Sequence, residues 1–501
     1  MTFKQASEYK EIASKIKFQT KALINGELTE SKSGKTFATY SPSTGEKIID
    51  ITLCGQADVD DAVAAAREAF DDGCWSRMNP AGRKEILIRF ADLIAEHGEE
   101  LAVMETLDSG KPICDTIGGD IPETVECFKF HAEAIDKLQD EVTTAGGDGY
   151  TMVIREPIGV VGAILPWNFP ILMAAWKLAP ILASGNSVVA KPAKLTSLTL
   201  LKLAELSREA GIPAGVFNVV PGNGAEVGDA IALHYDVNLI TFTGSTAVGK
   251  SLLGKAGDSN IKRVLLELGG KNPCVVMPDI VDLDAAAEQI LAAGLWNMGE
   301  NCTQNSRVLI HKDIKEGLVA KLLEKVGGWK TGDPFDSRHN LGALIEEKHM
   351  NTILDYIRKG IDEGAKLIHG GKRILEESGG YFVEPTIFDE TNQNMTIVRE
   401  EIFGPVFAIQ SFETIEEAIR IANDTEYGLQ ASVYSSNFDN VNRLARGIKA
   451  GVISVNHFSE GDITTPFGGF KQSGFFGRDK SVWANKQYTE LKSIHIKTNM
   501  N

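Results

Sequence analysis

Cysteine is scarce in this chain: there are six in 501 residues, at 54, 74, 114, 127, 274 and 302, without CxxC pairs or Cys/His spacing suited to a metal. That pattern excludes a disulfide framework, indicates no metal site, and fits a reducing cytoplasm. Basic residues are outnumbered, 51 Lys and Arg against 68 Asp and Glu, for a formal net charge of -17. Such a surface repels phosphate backbones and anionic headgroups, and no basic patch offsets it, so neither nucleic acid nor a membrane is expected as a partner. The opening stretch, MTFKQASEYKEIASKIKFQT, is charged throughout and lacks the apolar core of a secretory signal. A long uncharged run occurs from Ile158 to Trp176, IGVVGAILPWNFPILMAAW. Pro166 and Pro170 break it, which favours strand, loop and buried helix over a membrane span. The dinucleotide fingerprint GxGxxG is missing, as are fixed-period repeats and low-complexity tracts.

What is present is a chain with 43% hydrophobic residues, long enough for two or three domains. From Ile158 onward, apolar β-rich runs (IGVVGAIL, SVVAKPA, GVFNVV, LITFTGS, RVLLELGG) alternate with helical stretches such as LTLLKLAELSREAG. This alternation predicts βαβ units around a parallel sheet, with ligands at the carboxyl ends of the strands. Upstream, ADVDDAVAAAREAFDDG places Val59, Val63, Ala66 and Phe70 on one helical face. A second α/β region begins near Lys271, and its helix DLDAAAEQILAAGLWNMG leads to Cys302. Two extended pieces, EVTTAGGDGYTMVIREP with glycines at its turn and the C-terminal YTELKSIHIK, are expected to pair with each other or with another subunit.

Several residues carry chemical potential. Cys302 lies in NMGENCTQNSR, a polar, glycine-broken setting that suits a reactive thiol better than a structural one. PGNGAEVG, which contains Gly224, and FTGSTAVG, with Gly244 and Ser245, both follow β-runs and open helices. A phosphate site and a simple helix cap remain alternatives there. Glu267 ends an apolar strand, where it is either a general base of raised pKa or a cap or buried ion-pair partner. In PWNFP, the Asn168 amide either donates to a developing oxyanion or ties the turn.

Taken together, PWNFP, FTGST, LELGGKNP, MGENC, EEIFGPV, ANDTEYGL and PFGGFKQSG, in this order and spacing, resemble the aldehyde dehydrogenase superfamily over nearly the whole chain. The resemblance implies a five-stranded Rossmann-like cofactor domain at 1–140 and 159–267, an α/β catalytic domain at 268–480, and a small β oligomerisation arm at 141–158 and 486–501. It places the nucleophile on Cys302, the base on Glu267 and the oxyanion-hole amide on Asn168. Lys191 and Glu401 would hold the two riboses of NAD or NADP, Ser245 the pyrophosphate, and Phe403 would pack near the nicotinamide, with Trp167, Lys194, Gly224 and Gly244 as further contacts. A homodimer or homotetramer is implied. Such an enzyme oxidises an aldehyde to a carboxylate through a cysteine thiohemiacetal and thioester. Alternatives are a variant that passes the thioester to coenzyme A, disfavoured by the presence of Glu267, and a catalytically idle binding or structural homologue.

Two departures from the family pattern stand out. Glu300 replaces a more familiar glutamine; a carboxylate about 7 Å from the sulfur would oppose thiolate formation by roughly 0.6 kcal/mol in water and about 2.4 at an effective dielectric of 20. Cys302 is therefore expected to rest as a thiol, unless Glu300 points to solvent. Lys194 stands where many NAD-preferring relatives carry glutamate, so NADP is expected to be accepted. Phe169, Met173, Trp176 and Phe458 are candidates to line the aldehyde site, or are ordinary core. HFSEGDITTPFGG resembles bacterial γ-glutamyl-γ-aminobutyraldehyde and ω-amino-aldehyde dehydrogenases, which makes Asp462 a candidate anchor for a substrate amine, or a turn cap.

Overall fold

The five apolar runs of the middle third form parallel strands in the order Phe217–Val219, Ser187–Lys191, Val160–Ile164, Leu239–Thr243, Arg263–Glu267. Their side chains are buried on both faces, which is why they read as continuous apolar runs and not as alternating ones. The computed structural model describes residues 3–144 and 149–498. Short antiparallel strands extend the sheet at each edge: Ala22–Ile24 with Glu27–Thr29 on one side, and Gly474–Phe475 on the other. The last of these lies in the stretch expected to be catalytic, yet pairs with Arg263–Glu267.

The strand order reverses between Val160–Ile164 and Leu239–Thr243, so a crevice opens beyond their carboxyl ends. The uncharged run resolves as strand Val160–Ile164, the PWNFP turn, and a helix, Pro170–Ala183, buried at every position. Its one charge, Lys177, is neutralised by Asp479 at 2.9 Å, both nearly inaccessible. No helix among the described residues is long and apolar enough to cross a membrane. The helix expected around Val59 spans Gln56–Asp72; Val59, Val63 and Ala66 are buried, while Phe70 is half-buried beneath the Arg67 guanidinium.

A second sheet has six parallel strands in the order Thr386–Asp389, Val406–Phe412, Arg307–His311, Pro273–Val276, Gln430–Tyr434, Val452–Val455, with Lys366–His369 antiparallel at one edge. The short link Leu268–Asn272 joins the two sheets. Thr489–Lys497 pairs antiparallel along the whole of Gly149–Pro157, with Glu141–Thr143 on the opposite side. The two extended pieces therefore meet in one three-stranded sheet. The glycine turn expected at 146–147 lies outside the described residues, as do positions 1, 2 and 499–501 of the expected domains.

Candidate active site

The crevice at the strand reversal holds a cavity of about 430 Å³ whose wall includes Trp167, Asn168, Met173, Lys191, Gly224, Gly244, Ser245, Cys302, Glu401 and Phe403. Residues more than 200 positions apart in sequence are thus gathered around one space. Each arrives by a local rule. Lys191 ends its strand and is buried; its ammonium donates to the Pro192 carbonyl at 2.9 Å, and burial lowers its pKa to about 8. Ser245 caps the helix Thr246–Asp258 by accepting from the Val248 N–H, so the start of this helix borders the cavity at Ser245 and Val248. Gly244 packs so closely that an added Cβ would lie 2.5 Å from the Phe242 ring. The same holds for Gly269, where a Cβ would come within 2.1 Å of a Glu401 carboxylate oxygen.

Glu401 accepts from the Gly270 N–H at 2.8 Å, and burial raises its pKa to about 7. Trp167, His349 and Phe403 make edge-on ring contacts, with centroids 5.3 Å apart for Trp167–Phe403 and 5.5 Å for Trp167–His349. Lys194 is exposed and outside this wall; its ammonium sits 5.4 Å from the centre of the Phe37 ring.

Cys302 is reached through an unusual path. The helix Leu283–Leu295 gives way to a tight turn in which Asn297, Met298 and Gly299 all have positive φ, at 51°, 56° and 74°. Two side-chain amides brace this turn. Asn297 donates to the carbonyls of Asn168 and Glu300, and Asn168 donates to the Glu300 carbonyl at 3.0 Å. That occupies one Asn168 amide hydrogen and leaves the second available. Asn272 fixes the far side by donating to the Cys302 carbonyl at 2.8 Å.

Burial pushes the Cys302 thiol well above its ordinary pKa, and the carboxylates of Glu460, Glu401 and Glu267 push the same way. The expected cause, Glu300, is not among them. Its carboxyl is buried, 1% exposed, and turned away to accept from the Ile345 N–H at 2.9 Å. Both expectations for Glu300 are corrected: it neither faces the sulfur nor points to solvent, because the left-handed residues before it redirect the side chain. Its own pKa is raised well above normal by burial.

Glu267 ends its strand as expected, 4% exposed, with neither carboxyl oxygen meeting a hydrogen-bond partner by geometry. Burial, then the Asp479 charge, raises its pKa well above normal, opposed by Lys177, Arg478 and the Gly469 amide. It packs against Gly468 and Gly477, where a Cβ would lie 2.8 and 3.1 Å from its Oε1.

The aromatic candidates separate into two groups. Phe169 packs on Trp296 at 4.9 Å between centroids and Trp296 on Phe458 at 6.2 Å, while Met173 joins Cys302 on the cavity wall. Trp176 instead packs on Phe467 at 5.1 Å under the Lys480 ammonium. Asp462 is exposed, and its Oδ1 accepts from the N–H and hydroxyl of Thr464 at 2.8 and 2.6 Å. It is a turn cap, outside the cavity wall. The carboxylate directed inward is Glu460, two residues earlier: it accepts from the Thr303 hydroxyl, and burial raises its pKa. Sequence reasoning also passed over Trp296, although it stands beside the cysteine motif, and Lys111, whose buried ammonium lies 3.7 Å from the Phe169 ring centre.

A fold with a topological switch point, a half-buried thiol and a buried carboxyl at the joint of two parallel sheets defines a nucleotide-dependent oxidoreductase of the aldehyde dehydrogenase type. A profile described as the aldehyde dehydrogenase family matches residues 28–494, and the chain belongs to that family. It is 50% identical to the aminoacetaldehyde dehydrogenase of Pseudomonas aeruginosa over 489 residues, 98% of each chain. It is 42% identical to the NADP/NAD-dependent aldehyde dehydrogenase PuuC of Escherichia coli, covering 99% of each. A crystal structure of γ-glutamyl-γ-aminobutyraldehyde dehydrogenase from Burkholderia cenocepacia superimposes with a TM-score of 0.97 at 48% identity, covering 99% of this chain and 100% of that one.

Proposed function

We propose that this enzyme couples NAD(P) to the oxidation of an ω-amino aldehyde, with Cys302 as nucleophile, Glu267 as base and Asn168 as oxyanion donor. The observation that carries the reading is the convergence of Cys302 and Asn168 on the cavity at the switch point, with Glu267 close enough to influence the thiol. The residues present fit a dinucleotide. Thr243 offers a buried hydroxyl without a partner, Gly224 borders open space, and the close backbone approach at Gly244 leaves room for a pyrophosphate at the helix start. Lys191 and Glu401 suit the ribose hydroxyls, and Trp167 and Phe403 the nicotinamide face. When bound, NAD(P) supplies the acceptor for the hydride leaving the substrate carbon.

Cys302, once deprotonated, adds to the aldehyde carbon. The resulting oxyanion is held by the Cys302 N–H and the second Asn168 amide hydrogen. After loss of hydride the acyl group remains on Cys302 as a thioester. Glu267, made more basic than an ordinary glutamate by burial, takes a proton from water, which attacks the thioester and releases the acid, and the proton passes to the Cys302 sulfur to restore the thiol.

Glu460, in place of Asp462, would supply the carboxylate for a substrate ammonium, with Met173 on the cavity wall and the packed rings of Phe169, Trp296 and Phe458 as the apolar side chains proposed to meet the substrate. The proposed domains are 1–140 with 159–267, 268–480, and 141–158 with 486–501; the two large sheets and the separate three-stranded one support this division, with Gly474–Phe475 crossing from the second domain to the first sheet. The three-stranded sheet presents exposed apolar side chains, Val142 at 67% and Leu491 at 64%, which favours burial against a second copy in a homodimer or homotetramer. The test compares reduced-nicotinamide formation from 4-aminobutanal and butanal at matched subsaturating concentrations. Preference for the amine supports the substrate reading; equal rates leave only a generic aldehyde site, and no turnover with either cofactor removes the whole reading.

A further inference from the structure

Glu300 is buried and His349 half-buried, and the chemistry above leaves both side chains unused. His349, in the first turn of the helix Glu347–Asp362, places Nε2 2.8 Å from the Phe403 carbonyl. A carbonyl only accepts, so Nε2 carries the proton. The same nitrogen is 3.7 Å from the Glu300 carboxyl oxygen that accepts from the Ile345 N–H. The imidazole ring also packs edge-on against Trp167 and Phe403. Phe403 itself has φ of 59°, a backbone state costly for a bulky residue unless its surroundings hold it there. On the other side, the Glu300 carbonyl receives the Asn168 amide. A continuous set of contacts thus runs from Asn168 and the Cys302 segment, through Glu300 and His349, to Phe403.

We propose that Glu300 and His349 are a positioning pair that fixes Phe403 and its loop against the nucleophile segment, so that the nicotinamide seat and the oxyanion amide are held in one register. The inference rests on the cofactor site described above. The two side chains touch at 3.7 Å, and each makes its own backbone hydrogen bond, Glu300 accepting from the Ile345 N–H and His349 donating to the Phe403 carbonyl; burial shifts both toward their neutral forms, raising the Glu300 pKa and lowering that of His349. The chemistry of the pair is therefore that of an amide, and amides should replace both members.

The test uses the full-length protein, with cofactor Kd read from quenching of tryptophan fluorescence, which Trp167 reports from within the site, alongside steady-state kinetics. His349→Leu is expected to weaken NAD binding about tenfold or more and to raise the cofactor KM in proportion, with the aldehyde KM changed less than about threefold. His349→Gln, which still donates to the Phe403 carbonyl, should restore binding to within about threefold of wild type. Glu300→Gln should behave as wild type, Glu300→Leu should resemble His349→Leu, and the double leucine variant should be no worse than either single one. His349→Gln as impaired as His349→Leu, or additive losses in the double variant, would overturn the pairing. If a leucine variant fails to fold, the two glutamine variants decide: loss of cofactor affinity in either contradicts the proposal. Wild-type protein that binds no cofactor would instead sink the underlying site reading, so the two failures are distinguishable.

Discussion

Replacing Glu460 by glutamine separates two effects expected of one carboxylate. Glu460 is the leading charge holding the Cys302 thiol up, so its removal should ease thiolate formation and act alike on every aldehyde. It is also the carboxylate proposed to hold a substrate ammonium, an effect that would be confined to amino aldehydes. A charge-assisted hydrogen bond in a partly buried site contributes about 1.5–3 kcal/mol, which corresponds to roughly 10- to 150-fold in kcat/KM. The ratio of kcat/KM for 4-aminobutanal to that for butanal cancels the thiol effect and should fall by that factor. Because Glu460 is half-buried and held by the Thr303 hydroxyl, raising salt from about 0.1 to 0.5 M should change the wild-type ratio less than it would for a surface carboxylate. Asp462→Asn is the control, since Asp462 is exposed and already satisfied by Thr464. A ratio unchanged in Glu460→Gln, or one that falls equally in Asp462→Asn, would refute the assignment.

Other outcomes follow from the same geometry. The raised Cys302 pKa means that the thiol keeps its proton through neutrality, so alkylation of the apo enzyme should climb about tenfold per pH unit without levelling below pH 9; Glu300→Gln should leave that profile unchanged. A plateau near pH 7 would contradict it. Lys111 and Asp120 form a buried pair at 2.6 Å, 0% and 2% exposed, so Lys111→Met strands a carboxylate and should cost about 3–5 kcal/mol in denaturant unfolding; a loss below about 1 would show the pair to be dispensable. NADP should support turnover, and Lys194→Glu should lower kcat/KM for NADP about tenfold while sparing NAD; equal use of NADP by both proteins would show that Lys194 does not meet the 2′-phosphate.

Much of this architecture was legible before any coordinates, for a physical reason. Strands buried on both faces must be apolar throughout, and the helices between them must carry one apolar face, so the βαβ alternation is written in composition. Strand ends followed by glycine turns likewise marked Glu267, Gly244 and Ser245. What stayed hidden was side-chain direction in irregular backbone. Asp462 and Glu460 are two positions apart in a loop, and only the turn that Thr464 closes on Asp462 decides which carboxylate faces inward. Glu300 is two residues from the sulfur, yet the left-handed Asn297 and Met298 send it to Ile345; no local residue pattern announces positive φ at a methionine. His349 and Lys111 touch the site across long sequence separations, through packing that periodicity does not encode.

The most direct test of the chemistry is a single-turnover experiment on Glu267→Gln with saturating cofactor and aldehyde. If Glu267 serves thioester hydrolysis and Cys302 carries the acyl group, reduced nicotinamide should form in a burst of about one per active site, steady-state turnover should fall by about 100-fold or more, and peptide mass analysis should place the acyl group on Cys302. Undiminished turnover, or an acyl group on any other residue, would contradict the account.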